Sequence, residues 1–389
     1  QPSTSLATTG SNSISIGSQA RANASDSVVI GPNANVEKIT NVFSVTTSPL
    51  GSKETQTTEI EPAKRTVVVG SAARANGDGI TVIGAGAKAE AVMRVSLNGF
   101  GGPYVVTGVA GPATNSTVIG SGAVSRGVNN VVIGSGAQTS GGATDASGKI
   151  ELKDQNNTVV GYQAATVRGW GTALGAKAIA YGYQTTAIGT SSYAIGTGST
   201  AVGGWLDYNQ AFGAAPSGPP GFSAGTTTPG MGSQAFGSSA RTWGNYDTAL
   251  GPAARTSDFN SDGGLAYNSN DPTVINGSIA AGFVAFAEGH SSIAVGLQSR
   301  AHDTNAIALG TKSVAWGTES LALGRQAIAS WHRDIAIGAG AQAMGGAGTG
   351  NIAFGNDAFV NTLTGGNTDD AMAFGNQAEL FVIRGFTLT

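Results

Sequence analysis

Glycine recurs every seven residues along much of this chain, most regularly between residues 278 and 344. The glycines on this grid are Gly282, Gly289, Gly296, Gly310, Gly317, Gly324, Gly338 and Gly345. Two positions of the grid hold other residues, Asp303 and Trp331. A fixed spacing sustained over so many units is typical of a repeat protein, in which each short unit packs only against its neighbours. The spacing therefore predicts a solenoid.

Alternate seven-residue units differ in sequence, so the true repeat is fourteen residues long. It contains two strands, called here the first and the second strand. Two places before glycine, both strands carry alanine throughout this stretch, as in Ala308 and Ala315. The position four places before glycine is also small, except for Asp334, which we expect to face a turn. Because side chains alternate between the faces of a strand, these small residues share one face. The sequence predicts a thin coil of two sheets with alanine between them.

Between residues 278 and 344, the opposite face of the first strand is apolar in every repeat, whereas that of the second strand is mixed and is predicted to face water. The mixed face carries Phe286, Arg300, Val314, Ile328 and Gln342 in one column, and Glu288, His302, Trp316, Ser330 and Met344 in the other. So thin an interior makes a single chain only marginally stable. A long exposed apolar stripe is also rare on a monomer. We therefore expect a homo-oligomer with a core of Ile279, Ile293, Val295, Ile307, Leu309, Leu321, Leu323, Ile335 and Ile337.

The repeats follow a pattern that occurs in a known family. First halves read Ser292-Ile293-Ala294-Val295-Gly296, Ala306-Ile307-Ala308-Leu309-Gly310 and Asp334-Ile335-Ala336-Ile337-Gly338, with an alanine-rich second half between them. This pattern resembles the head repeats of YadA-type trimeric autotransporter adhesins. The resemblance implies a left-handed parallel β-roll solenoid, a homotrimer, and display on the outer membrane surface of a Gram-negative bacterium. The handedness and the number three come from the resemblance, since periodicity gives neither.

Composition excludes several other classes of protein. Charged residues make up 11% of the 389 residues and the formal net charge is −3, so we expect no nucleic-acid partner and no polybasic membrane patch. Cysteine is absent, and no apolar stretch approaches the roughly 20 residues of a membrane span. We expect a mature chain or a fragment, with neither stalk nor membrane anchor inside these residues. No paired nucleophile and base occurs in the repeat, so we expect no enzyme.

Several insertions leave the repeat and return to it. We expect one elongated β-roll head over residues 1–389, interrupted at about residues 36–64, 90–115, 139–156, 204–230 and 257–274. The first of these is predicted to form a hairpin. The fourth is a candidate ligand-binding loop, because exposed aromatic side chains often anchor interfaces; its aromatic residues are Trp205, Tyr208, Phe212 and Phe222. The alternative is that these rings pack the loop onto the roll.

One segment partly matches a calcium loop. Asp258, Asn260 and Asp262 place oxygen ligands at alternate positions before Gly263, but the twelfth position is Ser269 where a bidentate glutamate is needed. The alternative is an Asx-rich turn. We expect no other cofactor, and no metal at His290, His302 or His332, because none has a second ligand at a suitable spacing.

Two functions stay open at this point. The first is an adhesin head that attaches through its loops and its outer sheet to host cells, extracellular-matrix proteins or abiotic surfaces, as the resemblance implies. The second is a trimeric segment of a phage or secreted fibre that recognises a receptor. A mineral- or ice-binding surface is disfavoured, because the outward columns lack the regularity of a lattice.

Overall fold

The computed structural model describes residues 7–8, 10–48, 51–99, 102–111, 113–139, 155–204, 227–228, 230–256, 277–344, 350–362 and 370–382. These residues form strands and turns and contain no helix. The chain divides into two compact units, Gln1–Ser191 and Ser192–Thr389. Each unit contains a first sheet and a second sheet, built from the first and second strands of the repeat. The β-roll predicted from the sequence is confirmed.

In the first unit, each strand of both sheets pairs in parallel with the equivalent strand of an adjacent coil. The strands of its first sheet are Ile14–Ile16, Val28–Ile30, Val67–Val69, Thr81–Ile83, Thr117–Ile119, Val131–Ile133, Thr158–Val160, Thr172–Leu174 and Thr186–Ile188. Those of its second sheet are Ala7–Thr8, Arg21–Ala22, Asn35–Ser48, Arg74–Asn76, Lys88–Ala89, Val124–Ser125, Gln138–Thr139, Ala165–Thr166 and Ile179–Ala180. A short extra parallel pair joins Ala24–Ser25 to Ala63–Lys64.

The second unit repeats the arrangement. Its first sheet contains Thr200–Val202, Gln234–Phe236, Thr248–Leu250, Ile279–Ala281, Ile293–Val295, Ile307–Leu309, Leu321–Leu323, Ile335–Ile337, Ile352–Phe354 and Met372–Phe374. Its second sheet contains Arg255–Thr256, Phe286–Ala287, Arg300–Ala301, Val314–Ala315, Ile328–Ala329, Gln342–Met344, Phe359–Thr362 and Glu379–Val382. A bridge joins Arg241 to the first of these strands, and Tyr193–Ala194 pairs with Thr227–Thr228.

Two antiparallel hairpins extend from the first unit. Asn35–Ser48 pairs with Gly51–Glu61, where the sequence predicts a hairpin, and Ala91–Gly99 pairs with Gly102–Gly111. At the base of the first hairpin, Lys38 Nζ lies 3.0 Å from Glu61 Oε2 and 3.3 Å from Asp78 Oδ2 of the following coil. Both carboxylates raise the pKa of Lys38. The hairpin is therefore held to the roll by an ion pair as well as by its strands.

The seven-residue period follows from a short strand joined to a four-residue turn. In one such turn the N–H of Ser299 donates to Gly296 O at 3.3 Å, and Gln298 at the third position has a φ of 54°. Adjacent coils are joined by strand hydrogen bonds, such as that from the N–H of Ile293 to Ala306 O at 2.9 Å. Three or so strand residues and a four-residue turn thus fill each half of a coil.

Glycine is required after the first strand for two reasons. Gly310 has a φ of 137°, a conformation that residues with a Cβ rarely adopt. A Cβ at Gly310 would also collide with the backbone carbonyl of Gly324 in the next coil. A Cβ at Gly317, which follows a second strand, would also collide with the backbone of Trp331, but Gly317 lacks the positive φ. This difference explains why the grid positions without glycine, Asp303 and Trp331, both follow second strands.

The interior of the second unit is made of alanine. The fully buried members of its apolar cluster are alanines apart from Val360, and Ala308 and Ala315 are both 0% exposed. In the first unit, valine takes the central place of several first strands, namely Val29, Val68, Val82, Val118, Val132 and Val159, and these side chains are also buried. Alanine and valine bury little apolar area per residue, so the interior contributes modestly to stability.

Buried polar side chains mark the coils where the repeat is interrupted. Asp247 Oδ1 accepts the N–H of Ser278 at 2.9 Å across one insertion, and Asn130 Oδ1 accepts the N–H of Asn157 at 3.0 Å across another. Asp334 Oδ1 accepts the N–H of Asn351 at 3.0 Å across an enlarged turn. In regular coils the equivalent N–H closes the turn by donating to a carbonyl three residues earlier. The side chain thus supplies the acceptor where the turn is changed.

Enlarging a core alanine should destabilise the roll. We expect Ala308→Leu to lower the free energy of unfolding by about 1 to 3 kcal/mol, because overpacking displaces close-packed neighbours. Ala281→Leu is the matched control: Ala281 is half-buried and lies in the apolar column with Val295 and Leu309. Thermal unfolding followed by circular dichroism measures both. Equal shifts in Tm would show that Ala308 does not face a close-packed interior.

The stability of the second unit should depend on the protonation of Asp334. Burial raises the pKa of Asp334 from 3.8 to about 6, although hydrogen bonds from Asn351 and Trp331 act in the opposite direction. The folded chain therefore holds this proton to a higher pH than the unfolded chain, and its free energy of unfolding falls as the pH rises between about 4 and 6. Relative to Asp334→Asn, we expect a loss on the order of 3 kcal/mol across this window. Urea unfolding at several pH values measures it, and a pH-independent difference would contradict the assignment.

Candidate functional site

The outer face of the first sheet in the second unit carries two rows of large apolar side chains. Cα partners are in register from coil to coil, so like residues stack on like. One row contains Ile279, Ile293, Ile307, Leu321 and Ile335, and the other contains Val295, Leu309, Leu323 and Ile337. All nine residues predicted to form an oligomer core therefore lie on this one face, opposite the alanines.

These side chains are not covered within a single chain. Ile279, Val295 and Leu323 are 37%, 39% and 40% exposed. The second row continues with Phe354 and Phe374, whose ring centroids are 5.7 Å apart. The same face of the first unit exposes Ile14, Ile16, Ile30, Val67, Ile83 and Val131. An apolar surface of this extent usually marks an interface.

The outer face of the second sheet in the second unit has a different character. Arg255, Phe286 and Arg300 are consecutive Cα partners, and Arg241 precedes them through its bridge to Arg255. We call the arginine–aromatic cluster the group formed by these four residues with Glu288, His302 and Trp316. The guanidinium carbon of Arg300 lies 5.2 Å from the centre of the Phe286 ring and 5.8 Å from that of Trp316. The guanidinium carbon of Arg255, on the preceding coil, lies 5.6 Å from the centre of the same Phe286 ring.

A single carboxylate holds part of this cluster in place. Glu288 is 8% exposed, and its oxygens lie 3.6 Å from Arg300 Nη2 and 3.5 Å from His302 Nε2. The imidazole of His302 in turn lies 4.9 Å from the Trp316 ring, at a tilted angle. Burial, and after it the charge of Arg255, lowers the pKa of Arg241 to about 10. The arginines are therefore close enough for each to affect its neighbour.

Two predicted sites lie outside the described residues. These are the calcium candidate, Asp258, Asn260 and Asp262, and the aromatic loop, Trp205, Tyr208, Phe212 and Phe222. In the part of the chain that the structure describes, no three His, Asp or Glu side chains are grouped so that they could hold a metal ion. Nor does any helix there have the length and apolar character needed to cross a membrane. Calcium binding by the candidate segment stays a prediction.

A family model described as "YadA head domain repeat (2 copies)" matches the chain at residues 9–34, 171–192, 180–204, 276–299, 287–313, 301–327 and 315–341. The chain carries YadA head repeats. Matches that begin at 287, 301 and 315 are one fourteen-residue repeat apart, in agreement with the coils seen here. The YadA head repeats of the second unit thus include the whole of the apolar face from Ile279 to Ile337. No curated protein matches the chain.

The sequence analysis missed the arginine–aromatic cluster. It placed Phe286, Arg300, His302 and Trp316 on a wet face but did not connect them with Arg241 and Arg255. The reason is the insertion after Thr256, which separates Arg255 from its partner Phe286 by 31 positions instead of fourteen. Aligning the second strands on either side of that insertion would have shown the column.

Proposed function

We propose that this chain is the head segment of a homotrimeric adhesin, displayed on the outer membrane surface of a Gram-negative bacterium. The observation that carries the proposal is the uncovered apolar face of the first sheet on a chain with YadA head repeats. The family supplies the number three. The apolar rows supply the reason for association, because the thin alanine interior leaves most large apolar side chains outside it.

Association would stabilise each coil. Completing the burial of a side chain such as Leu323, which is 40% exposed, contributes about 1 kcal/mol. The two rows provide two such side chains in each coil of each chain. The summed free energy of burial therefore exceeds the free-energy cost of bringing three chains together. In this arrangement the first sheets meet at the threefold axis, and the second sheets and insertions face outward.

In this proposed trimer, the head attaches through the second sheets and the insertions, which face outward. Insertions on a rigid scaffold are where recognition usually lies, and the two hairpins of the first unit are such insertions. The aromatic loop from Trp205 to Phe222 is a further candidate by its composition. Partners of this head would be host-cell surfaces, extracellular-matrix proteins or abiotic surfaces.

A charge on the apolar face should prevent assembly. We expect Ile307→Asp to dissociate or unfold the trimer, because burying an unpaired carboxylate costs several kcal/mol. Ile328→Asp is the matched control, since Ile328 is also half-buried but lies on the outer face of the second sheet. Size-exclusion chromatography with light scattering measures the mass of each. If both variants keep the mass and the Tm of the wild type, the first sheet does not form the interface.

Removing an insertion should abolish attachment without affecting assembly. Residues 39–60 can be replaced by two residues of Asn-Gly, because Lys38 and Glu61 are Cα partners and their ion pair is retained. Residues 92–110 can be shortened in the same way between the partners Ala91 and Gly111. Residues 205–226 can be replaced by a Gly/Ser link. We expect one deletion to abolish attachment to immobilised matrix proteins or to cells.

Light scattering on the same three variants is the control for assembly. A wild-type trimer that attaches to none of these surfaces would contradict the adhesin function. Attachment that survives all three deletions would show that the insertions are not the recognition elements and would leave the outer sheet as the attachment surface.

A further inference from the structure

The arginine–aromatic cluster is a linear array along the stacking direction of the coils. Arg241, Arg255, Phe286 and Arg300 occupy four successive coils in one column. At about 4.8 Å per coil, the column spans about 14 Å. His302 and Trp316 lie in the neighbouring column, beside Arg300. The array is therefore several times longer than a single small anion.

Aromatic rings lie beside two of the guanidinium groups of the cluster. Arg300 lies near two rings, those of Phe286 and Trp316, and Arg255 lies near Phe286. A guanidinium that lies beside a ring still presents N–H donors, which can bind an anion in a bidentate manner. Glu288, one coil before His302 in the same column, is almost fully buried and restrains both Arg300 and His302.

The cluster concentrates arginines on a chain whose net charge is −3. It contains three arginines, Arg241, Arg255 and Arg300, and one carboxylate, Glu288. The charge of Arg255 opposes that of Arg241, and an anion placed along the column would relieve this repulsion. The column thus favours a ligand with several negative charges in a line.

The backbone beneath the cluster cannot receive a peptide strand. The N–H of Phe286 donates to Ser299 O and that of Arg300 to Ser313 O, both at 2.9 Å, so the next coil already occupies these groups. Recognition must come from side chains, which here are guanidinium groups beside an exposed indole. Trp316 is 41% exposed. An aromatic face beside anion-binding groups suits a charged sugar ring better than an acidic peptide.

We propose that the arginine–aromatic cluster binds an anionic polysaccharide, whose sulfate or carboxylate groups pair with the arginines while a sugar ring stacks on Trp316. This inference rests on the proposed function in one respect, since the second sheet must face outward in the assembled head. It adds a ligand class and a set of contact residues to that function.

The test measures binding of the full chain to immobilised heparin, hyaluronan and neutral dextran by surface plasmon resonance. We expect heparin or hyaluronan to bind, with an affinity that falls as salt is added, and dextran not to bind. The double variant Arg255→Gln/Arg300→Gln should bind the anionic polymer roughly tenfold more weakly or worse. Heparin binding without hyaluronan binding would restrict the ligand to sulfated chains.

Lys312→Gln/Arg325→Gln is the matched control, because it removes the same charge from two exposed turn residues outside the cluster. It should change the affinity by no more than about twofold. Two further variants separate stacking from charge. Trp316→Ala leaves the charge unchanged and should weaken binding, whereas Arg255→Lys/Arg300→Lys keeps the charge but lacks the planar fork and should bind more weakly than the wild type.

Equal losses in the two glutamine double variants would overturn the proposal, because they would show a general effect of charge. Polyglutamate that competes as well as heparin would overturn the assignment to a polysaccharide, as would a Trp316→Ala variant with wild-type affinity. Light scattering on the same samples reports assembly separately. A monomeric wild type that still binds heparin through Arg255 and Arg300 would overturn the trimer but leave this site in place.

Discussion

Adjacent coils of this protein come into backbone contact at the glycine that ends each first strand. At Gly310 the positive φ and the carbonyl of Gly324 leave no room for a Cβ. This contact sets the path of the chain, since a short strand and a four-residue turn must return it to the same place in every coil. The resulting coil is so narrow that most of the apolar side chains inside it are alanines, with several valines in the first unit. Most large apolar side chains therefore lie on an outer face, and this face is the basis of the proposed association.

The same repeat accepts insertions because a few buried polar groups replace the turns that the insertions remove. Asp247, Asn130 and Asp334 each accept an N–H from the next coil beside an interruption. A buried carboxylate is costly unless it is well bonded, and Asp334 accepts N–H groups from both Trp331 and Asn351. These coils remain stacked, but each holds a polar group inside an otherwise apolar interior. The head can thus display hairpins without disturbing the coils on either side.

The outward side chains of the two sheets differ in how much they vary from coil to coil. From Ile279 to Ile337, outward side chains of the first sheet are alike from coil to coil, which suits the proposed symmetric association, and Ile307 stacks between Ile293 and Leu321. Side chains of the second sheet vary, because that face need only remain soluble between its alanines. Such freedom allows one stretch of it to collect arginines and aromatic rings. In the proposed head, the uniform face holds the chains together and the variable face meets the environment.

The sequence by itself determined the fourteen-residue period, the two strands, and the face of each residue, because side chains alternate strictly along a strand. Ile307 could be placed opposite Ala308 without any structure. Only the tertiary structure showed the positive φ of Gly310 after a first strand, which Gly317 after a second strand lacks. It also showed the burial of Asp334 and the approach of Arg255 to Phe286 across an insertion. Contacts of this kind depend on where the chain returns after a loop, and residue spacing does not encode that position.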